Sequence, residues 1–254
     1  MRMIRAAVAQ GTTTIACTPH LHEWDPDLVE RVRRVYGEVK AAVEDAAIPV
    51  RLLVGFEVDL VVAATCDLET IRTLCIQSTD GEGDVEISSA GRAGGPGAVD
   101  GGVVLIETPS ANWPPFFEKT IHRLSTGGIL SILAHPERSE RVQRSPDALT
   151  GCLNAGAILQ GTSGSFSPLF RRDSHKTFHE LLARGWFSLL ASDAHSEPEY
   201  TWSLGPLLAE LGDRISLDER NLLVNVNPAR ALEGKRPIPV VPPRSPGKSR
   251  RRFL

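Results

Sequence analysis

A short apolar run that ends abruptly in an acid and a histidine sets the terms for this chain: Leu189-Leu190-Ala191, then Ser192-Asp193-Ala194-His195-Ser196. The same design appears at Ile129 to Leu133, followed by Ala134-His135-Pro136-Glu137-Arg138, and at Thr13 to Cys17, followed by Thr18-Pro19-His20. Apolar runs of this length without polar alternation read as strands buried on both faces. A parallel sheet covered by helices buries such strands, and it gathers chemistry at their carboxyl ends. Three histidines at equivalent strand ends therefore point to one shared site.

The rest of the chain supports that architecture. Met1 to Gln10 reads as the last turns of a helix stopped by Gly11. Asp25-Pro26 is a helix start, and Leu28, Val32, Val35, Val39 and Val43 form an apolar stripe behind it. Val50 to Val54 is a strand ending in Gly55-Phe56-Glu57-Val58, and Val103 to Ile106 is one ending in Glu107-Thr108-Pro109. Residues 67–76 suggest a short helix or an irregular segment. Helices follow around Phe117, Ile121 and Leu124 and around Phe178, Leu181 and Leu182, with a strand at Ala157 to Gln160 between them. Asn227-Pro228 opens the final helical turns, which end at Gly234. Six strands, near residues 13, 50, 103, 129, 157 and 187, alternate with helices. This count suits an open sheet or a barrel, but groups from many strands meet most easily at a barrel mouth. One domain spans residues 1–234. The glycine- and serine-rich stretch 79–102 reads as a flexible insertion, and the proline-rich basic segment 235–254 as a disordered tail. The strand at 12–18 needs neighbours on both sides if it is parallel and central.

Composition narrows the function. The net charge of -3 gives no global attraction to nucleic acid or anionic membrane. No run approaches the roughly 18 apolar residues of a spanning helix, so a cytoplasmic protein is expected. The four cysteines, Cys17, Cys66, Cys75 and Cys152, have no CxxC spacing and are not followed by the arginine of a thiol phosphatase loop. No G-x-S-x-G elbow or lysine-bearing phosphate loop occurs.

His20, Glu57, His135, Asp193 and His195 form a nitrogen and oxygen donor set suited to zinc, manganese or iron. Two or three such ions together acidify a bridging water and clamp a phosphoryl group, with Glu57 a candidate bridge between ions. His22 and Glu137 are candidates to hold those ligands from behind. Arg138 suits bidentate contact with phosphate, against the alternative of a surface pair with Glu137 or Glu140. Glu107 fits either a site or a loop cap. His122, His175 and His179 lie within helical stretches and read as structural.

The motifs Thr18-Pro19-His20, Gly55-Phe56-Glu57, Ala134-His135-Pro136-Glu137-Arg138 and Ser192-Asp193-Ala194-His195-Ser196 resemble the polymerase and histidinol phosphatase (PHP) superfamily. Within it they look most like bacterial manganese-dependent tyrosine phosphatases of capsular and exopolysaccharide operons. The likeness covers roughly residues 4–234. It implies a distorted seven-stranded β/α barrel with two or three metal ions at its mouth, Mn2+ foremost and Zn2+ or Fe as alternatives. It implies His20, Glu57, His135, Asp193 and His195 as ligands, with Arg138, Asp193 and His195 acting on the phosphate. The implied substrate is phosphotyrosine on a bacterial tyrosine autokinase that controls polysaccharide export. A histidinol-phosphate-type phosphatase and a non-catalytic remnant are the alternatives. The superfamily pattern opens with a His-x-His strand; here the only such spacing is His20-Leu21-His22, within the next motif. The expectation is therefore a barrel without its first strand and without two ligands, through a late start codon or a truncated gene.

Overall fold

A computed structural model describes residues 1–77, 101–166, 172–195 and 202–240. Most of the insertion expected at 79–102 and residues 241–254 of the tail expected at 235–254 lie outside the described residues. Residues 235–240 correct the expectation of a disordered tail: Val240 is buried in the core and Ile238 is hydrogen-bonded through its backbone to Asn227.

The described chain runs α1 (Arg2–Ala9), β1 (Thr14–Cys17), β2 (His20–Leu21), α2 (Pro26–Asp45), β3 (Arg51–Val54) and β4 (Glu57–Val58). It continues with α3 (Leu60–Thr65), α4 (Leu68–Leu74), β5 (Val103–Glu107), α5 (Phe117–Thr126) and β6 (Leu130–Ala134). Next come α6 (Glu140–Arg144), α7 (Thr150–Asn154), β7 (Ile158–Thr162), α8 (Arg172–Ala183) and β8 (Phe187–Ala191). The helices α9 (Gly205–Leu211), α10 (Leu217–Asn221) and α11 (Asn227–Leu232) close the domain. Local signals account for several boundaries. Gly11, at φ +92°, adopts the left-handed backbone that ends α1. Asp25 caps α2 by accepting from the backbone N–H groups of Asp27 and Leu28, both at 3.0 Å.

Among the described residues the named strands pair in parallel, and an isolated antiparallel bridge joins Val54 to Gln77. Strands β2, β4, β5, β6, β7 and β8 form one sheet in that order, while β1 and β3 pair with each other in a second. Two strands expected as single units are thus each split, giving eight strands among the described residues in place of six. Pro19 has no N–H to donate and interrupts the first. Gly55 interrupts the second, where Ile76 crosses so close that a Cβ on Gly55 would lie 2.7 Å from Ile76 Cγ1. The parallel pairing bridges both breaks, through Gly55 N–H to the Cys17 carbonyl (3.0 Å) and Glu57 N–H to the Pro19 carbonyl (3.1 Å). Among the described residues β1 pairs with β3 alone, without the second neighbour that a central parallel strand would have.

The period-two alternation of strand side chains sorts the core into two layers. Val104, Ile106, Leu133, Leu159 and Leu190 pack outward with Phe117, Ile121, Leu124, Phe178 and Leu181 of α5 and α8. Val103, Leu105, Leu130, Ile132, Ala134, Ile158 and Leu189 face the other side, where they form an inner cluster. A satellite core of Tyr36, Val43, Leu52 and Val54 joins α2 to the small sheet, and Tyr36 donates its hydroxyl to the Leu52 carbonyl at 2.9 Å. The large sheet curls: His20, on edge strand β2, and His195, just past the opposite edge strand β8, have ring centroids 6.1 Å apart. No helix among the described residues is long and apolar enough to cross a membrane.

Candidate metal centre

Register and parity bring the donors together. His20 pairs with Glu57 across β2 and β4, and Glu57 pairs with Leu105 across β4 and β5. Leu105 faces the inner cluster, so Glu107, two residues on, projects to the same side. His135 follows β6, whose last residue Ala134 is the register partner of Glu107. Asp193 and His195 follow β8. The curl of the sheet thus converges five strand ends on one mouth.

Two of these residues leave their strands through an uncommon backbone state. His135 has φ 35° and Asp193 has φ 51°. Left-handed backbone at a non-glycine residue costs on the order of 1–3 kcal/mol and concentrates at functional positions. Here it turns each chain sharply enough to aim the side chain across the sheet end.

Glu57 is the hub. Its Oε1 lies 3.0 Å from His135 Nε2 and its Oε2 lies 3.9 Å from His20 Nδ1. Glu107 spans the same pair, with Oε2 3.3 Å from His20 Nδ1 and Oε1 3.6 Å from His135 Nε2. Two three-donor sets result, His20–Glu57–Glu107 and Glu57–His135–Asp193, each with one ligand atom per residue within 4.8 Å of the others. Both sets contain Glu57. His22 stacks on His20, with centroids 5.2 Å apart and planes 11° from parallel, which fixes that imidazole. His195 stands at the rim, its Nδ1 2.9 Å from the Asp193 carbonyl oxygen and 3.8 Å from Asp193 Oδ1. With Nδ1–H donated to that carbonyl, Nε2 keeps its lone pair for a ligand. His195 belongs to neither three-donor set.

The charge states show what the centre lacks. Burial raises the pKa of Glu57 above the ordinary carboxylate value, with the hydrogen bond and charge of His135 opposing. Burial would raise Glu107 as well, but His20, His135 and the bond shared with Glu57 hold it at about 2. For His135, burial disfavours the charged ring, yet the Glu57 hydrogen bond and the nearby carboxylates leave its pKa raised. His20 is raised too, first by Glu107. Carboxylates that drive imidazoles to take up protons create a strongly negative pocket. Of the carboxylates Glu57, Glu107 and Asp193, Asp193 pairs with the Arg138 guanidinium. His20 Nδ1 and Asp193 Oδ2 are buried and make charged contacts without hydrogen-bond geometry. Oxygen and nitrogen donors at this spacing, with an excess of negative charge, fit divalent cations, and a cation would displace the protons.

Arg138 is held from two sides. Its Nη1 lies 2.7 Å from Asp193 Oδ2, and its Nε donates to Ser165 Oγ at 3.1 Å. Ser165 in turn donates to Glu137 Oε1 at 2.6 Å, and Glu137 Oε1 also accepts from Thr162 N–H at 3.1 Å. Glu137 is fully buried, and its pKa is raised first by that burial. Arg138 is therefore not a surface partner of Glu137 or Glu140. The turn that supplies Ser165, Ser163–Phe166, is tied to the loop after β8 by Ser163 Oγ donating to the Ser192 carbonyl at 2.9 Å.

The structure brings His20, Glu57, His135, Asp193 and Arg138 to one mouth, with His195 and His22 at its edge. Glu107 joins them as a full member; its strand-end position was the available signal, shared by the alternative of a loop cap. Ser165 carried no signal, since a serine in a small polar run gives no hint of its partners.

Comparisons with known proteins agree with this geometry. A family model described as capsular polysaccharide synthesis, CpsB/CapC, matches residues 99–233. The chain is 28% identical over 207 residues to the tyrosine-protein phosphatase YwqE of Bacillus subtilis (strain 168), covering 77% of this chain and 69% of that protein. It is 27% identical over 197 residues to the putative tyrosine-protein phosphatase CapC of Staphylococcus aureus, covering 77% and 69%. Its fold matches a chain from the crystal structures of YwqE from Bacillus subtilis and CpsB from Streptococcus pneumoniae, described as unique metal-dependent tyrosine phosphatases. The TM-score is 0.70 at 25% identity, over 95% of this chain and 89% of that one.

Proposed function

The chain belongs to the capsular polysaccharide synthesis family CpsB/CapC, and from that premise we propose that it is a metal-dependent phosphatase acting on phosphotyrosine. The observation that carries the reading is the pair of three-donor sets sharing Glu57 beside Arg138. The proposed substrate is a phosphotyrosyl segment of a bacterial tyrosine autokinase that governs polysaccharide synthesis or export, and the proposed place of action is the cytoplasm. Mn2+ is the proposed ion, with Zn2+ and Fe as alternatives that the same donors accept.

In this reading His20, Glu57, Glu107, His135 and Asp193 would hold two or three divalent ions, with His195 as a further ligand at the rim. Such ions acidify water and neutralise phosphoryl oxygens. The two oxygens of Glu57 point to different histidines, so Glu57 would contribute to both donor sets. Arg138 supplies a planar guanidinium for the phosphoryl group. Its hold on Asp193 and Ser165 sets its orientation before substrate arrives, which spares reorganisation during the reaction. Glu137 acts at one remove, by orienting Ser165.

The test is hydrolysis of a phosphotyrosyl peptide against histidinol phosphate, with Mn2+ supplied and after chelation. Turnover of the peptide in preference to histidinol phosphate, lost on chelation and in Glu57→Gln, is the expected result. No turnover of either ester by the metal-loaded chain rejects the reading. Preference for histidinol phosphate moves the assignment to a small-ester phosphatase.

A further inference from the structure

We infer that α8 and α9 carry a second transition-metal site, formed by His175, His179 and Glu210. His175 and His179 stand one turn apart on α8, so both rings leave the same face. Glu210 reaches them from α9, and one donor atom from each of the three lies within 4.8 Å of the others. The site shares no residue with the sets around Glu57.

The geometry suits a cation better than hydrogen bonds. His175 Nε2 and Glu210 Oε1 are 3.8 Å apart, too far for a hydrogen bond. Two ligands of a tetrahedral zinc ion, with bonds of about 2.1 Å, stand roughly 3.4 Å apart. A small movement of the exposed glutamate closes that difference. The imidazoles are braced in place: Phe166 sets its ring at 78° to His175, 4.4 Å between centroids, and at 88° to His179, 5.7 Å between centroids. The two imidazoles stand at 86° to each other with centroids 4.7 Å apart. Two imidazoles and one carboxylate select Zn2+, Co2+, Ni2+ or Cu2+. The centre at the sheet mouth is richer in carboxylates, so the two sites differ in preference. Three protein ligands leave a coordination position for water.

Arg214 opposes the ion. Its Nη1 lies 3.0 Å from His179 Nε2 and 3.2 Å from Nδ1, on an exposed side chain that can swing aside. A metal therefore competes with a guanidinium, and removing that guanidinium should tighten binding. An ion held here would staple α9 to α8 and to the turn carrying Phe166, which is the turn that also supplies Ser165.

The test uses the full chain with Glu57→Gln and His135→Ala together, so that the principal donors are removed. Titration with Co2+, followed by its visible ligand-field absorption, and with Zn2+ by calorimetry should show one equivalent bound and a raised Tm. His179→Ala should abolish that equivalent, Glu210→Gln should weaken it, and Arg214→Ala should tighten it several-fold. Should the doubly substituted chain not fold, a Co2+ difference spectrum between the wild-type and His179→Ala chains gives the same reading. No ion bound beyond the principal centre, or uptake unchanged by His179→Ala, overturns the inference. Either result leaves the phosphatase reading standing.

Discussion

Replacing Ser165 by alanine separates Arg138 from the buried carboxylate that anchors it. The hydroxyl accepts from Arg138 Nε at 3.1 Å and donates to Glu137 Oε1 at 2.6 Å, so one atom serves two charged partners. Hydrogen bonds to charged groups contribute about 1.5–3 kcal/mol each. Arg138 retains its contact with Asp193, and Glu137 retains Thr162 N–H, so the loss is less than two full bonds. A net cost of about 2–3 kcal/mol follows. The cost depends on pH. Burial already places the folded pKa of Glu137 above its ordinary value of 4.5, and loss of the Ser165 hydrogen bond raises it further. A carboxyl with a raised folded pKa loses stability as pH rises from its unfolded value through its folded one. The variant's deficit should therefore be small near pH 4.5 and larger at about pH 7. Urea denaturation of the metal-free chain at both values measures it. A double-mutant cycle with Glu137→Gln should give a coupling of about 1–2 kcal/mol. Equal deficits at the two pH values, or strict additivity in the cycle, would refute the relay.

Other substitutions test other parts of the molecule. Glu57→Gln should lower the metal content of the dialysed protein by more than substitution of any single histidine, since Glu57 belongs to both donor sets; elemental analysis reads this directly. Asn227→Ala should cost about 2–4 kcal/mol in urea. Its buried amide donates to the carbonyls of Ser188 (2.8 Å) and Ile238 (2.9 Å) and accepts from Ile238 N–H (2.8 Å), and hydrogen exchange should quicken at Ile238. Burial pushes the thiols of Cys75 and Cys152 up to about 12, so maleimide at neutral pH should label Cys66 well before either; intact-mass and peptide mapping decide the order.

The sequence carried the strands and their polar ends because both are local signals. Apolar runs at 103–106, 129–133 and 187–191 became β5, β6 and β8. His20, Glu57, His135 and Asp193 were recognisable from their shared place at strand ends, and parallel register then brought them together. What escaped depends on partners distant in the chain. Pro19 and Gly55 each split a strand, and the second break follows from Ile76 crossing over Gly55, which no local pattern encodes. Ser165 reaches Glu137 across 28 residues, and Glu107 owes its place to the face parity of β5. The approach of Glu210 to His175 and His179 also escaped, because helical spacing alone does not reveal an acid on a neighbouring helix.

His135 and Asp193 carry a further consequence through their positive φ angles. Glycine would relieve the backbone strain at either position, but it would also strip Arg138 of its Asp193 partner and Glu57 of its His135 hydrogen bond. Losing a buried charged partner costs more than the strain returns. The side chains of the mouth thus hold their own backbone in its uncommon state, and emptying the mouth would weaken the frame that carries it.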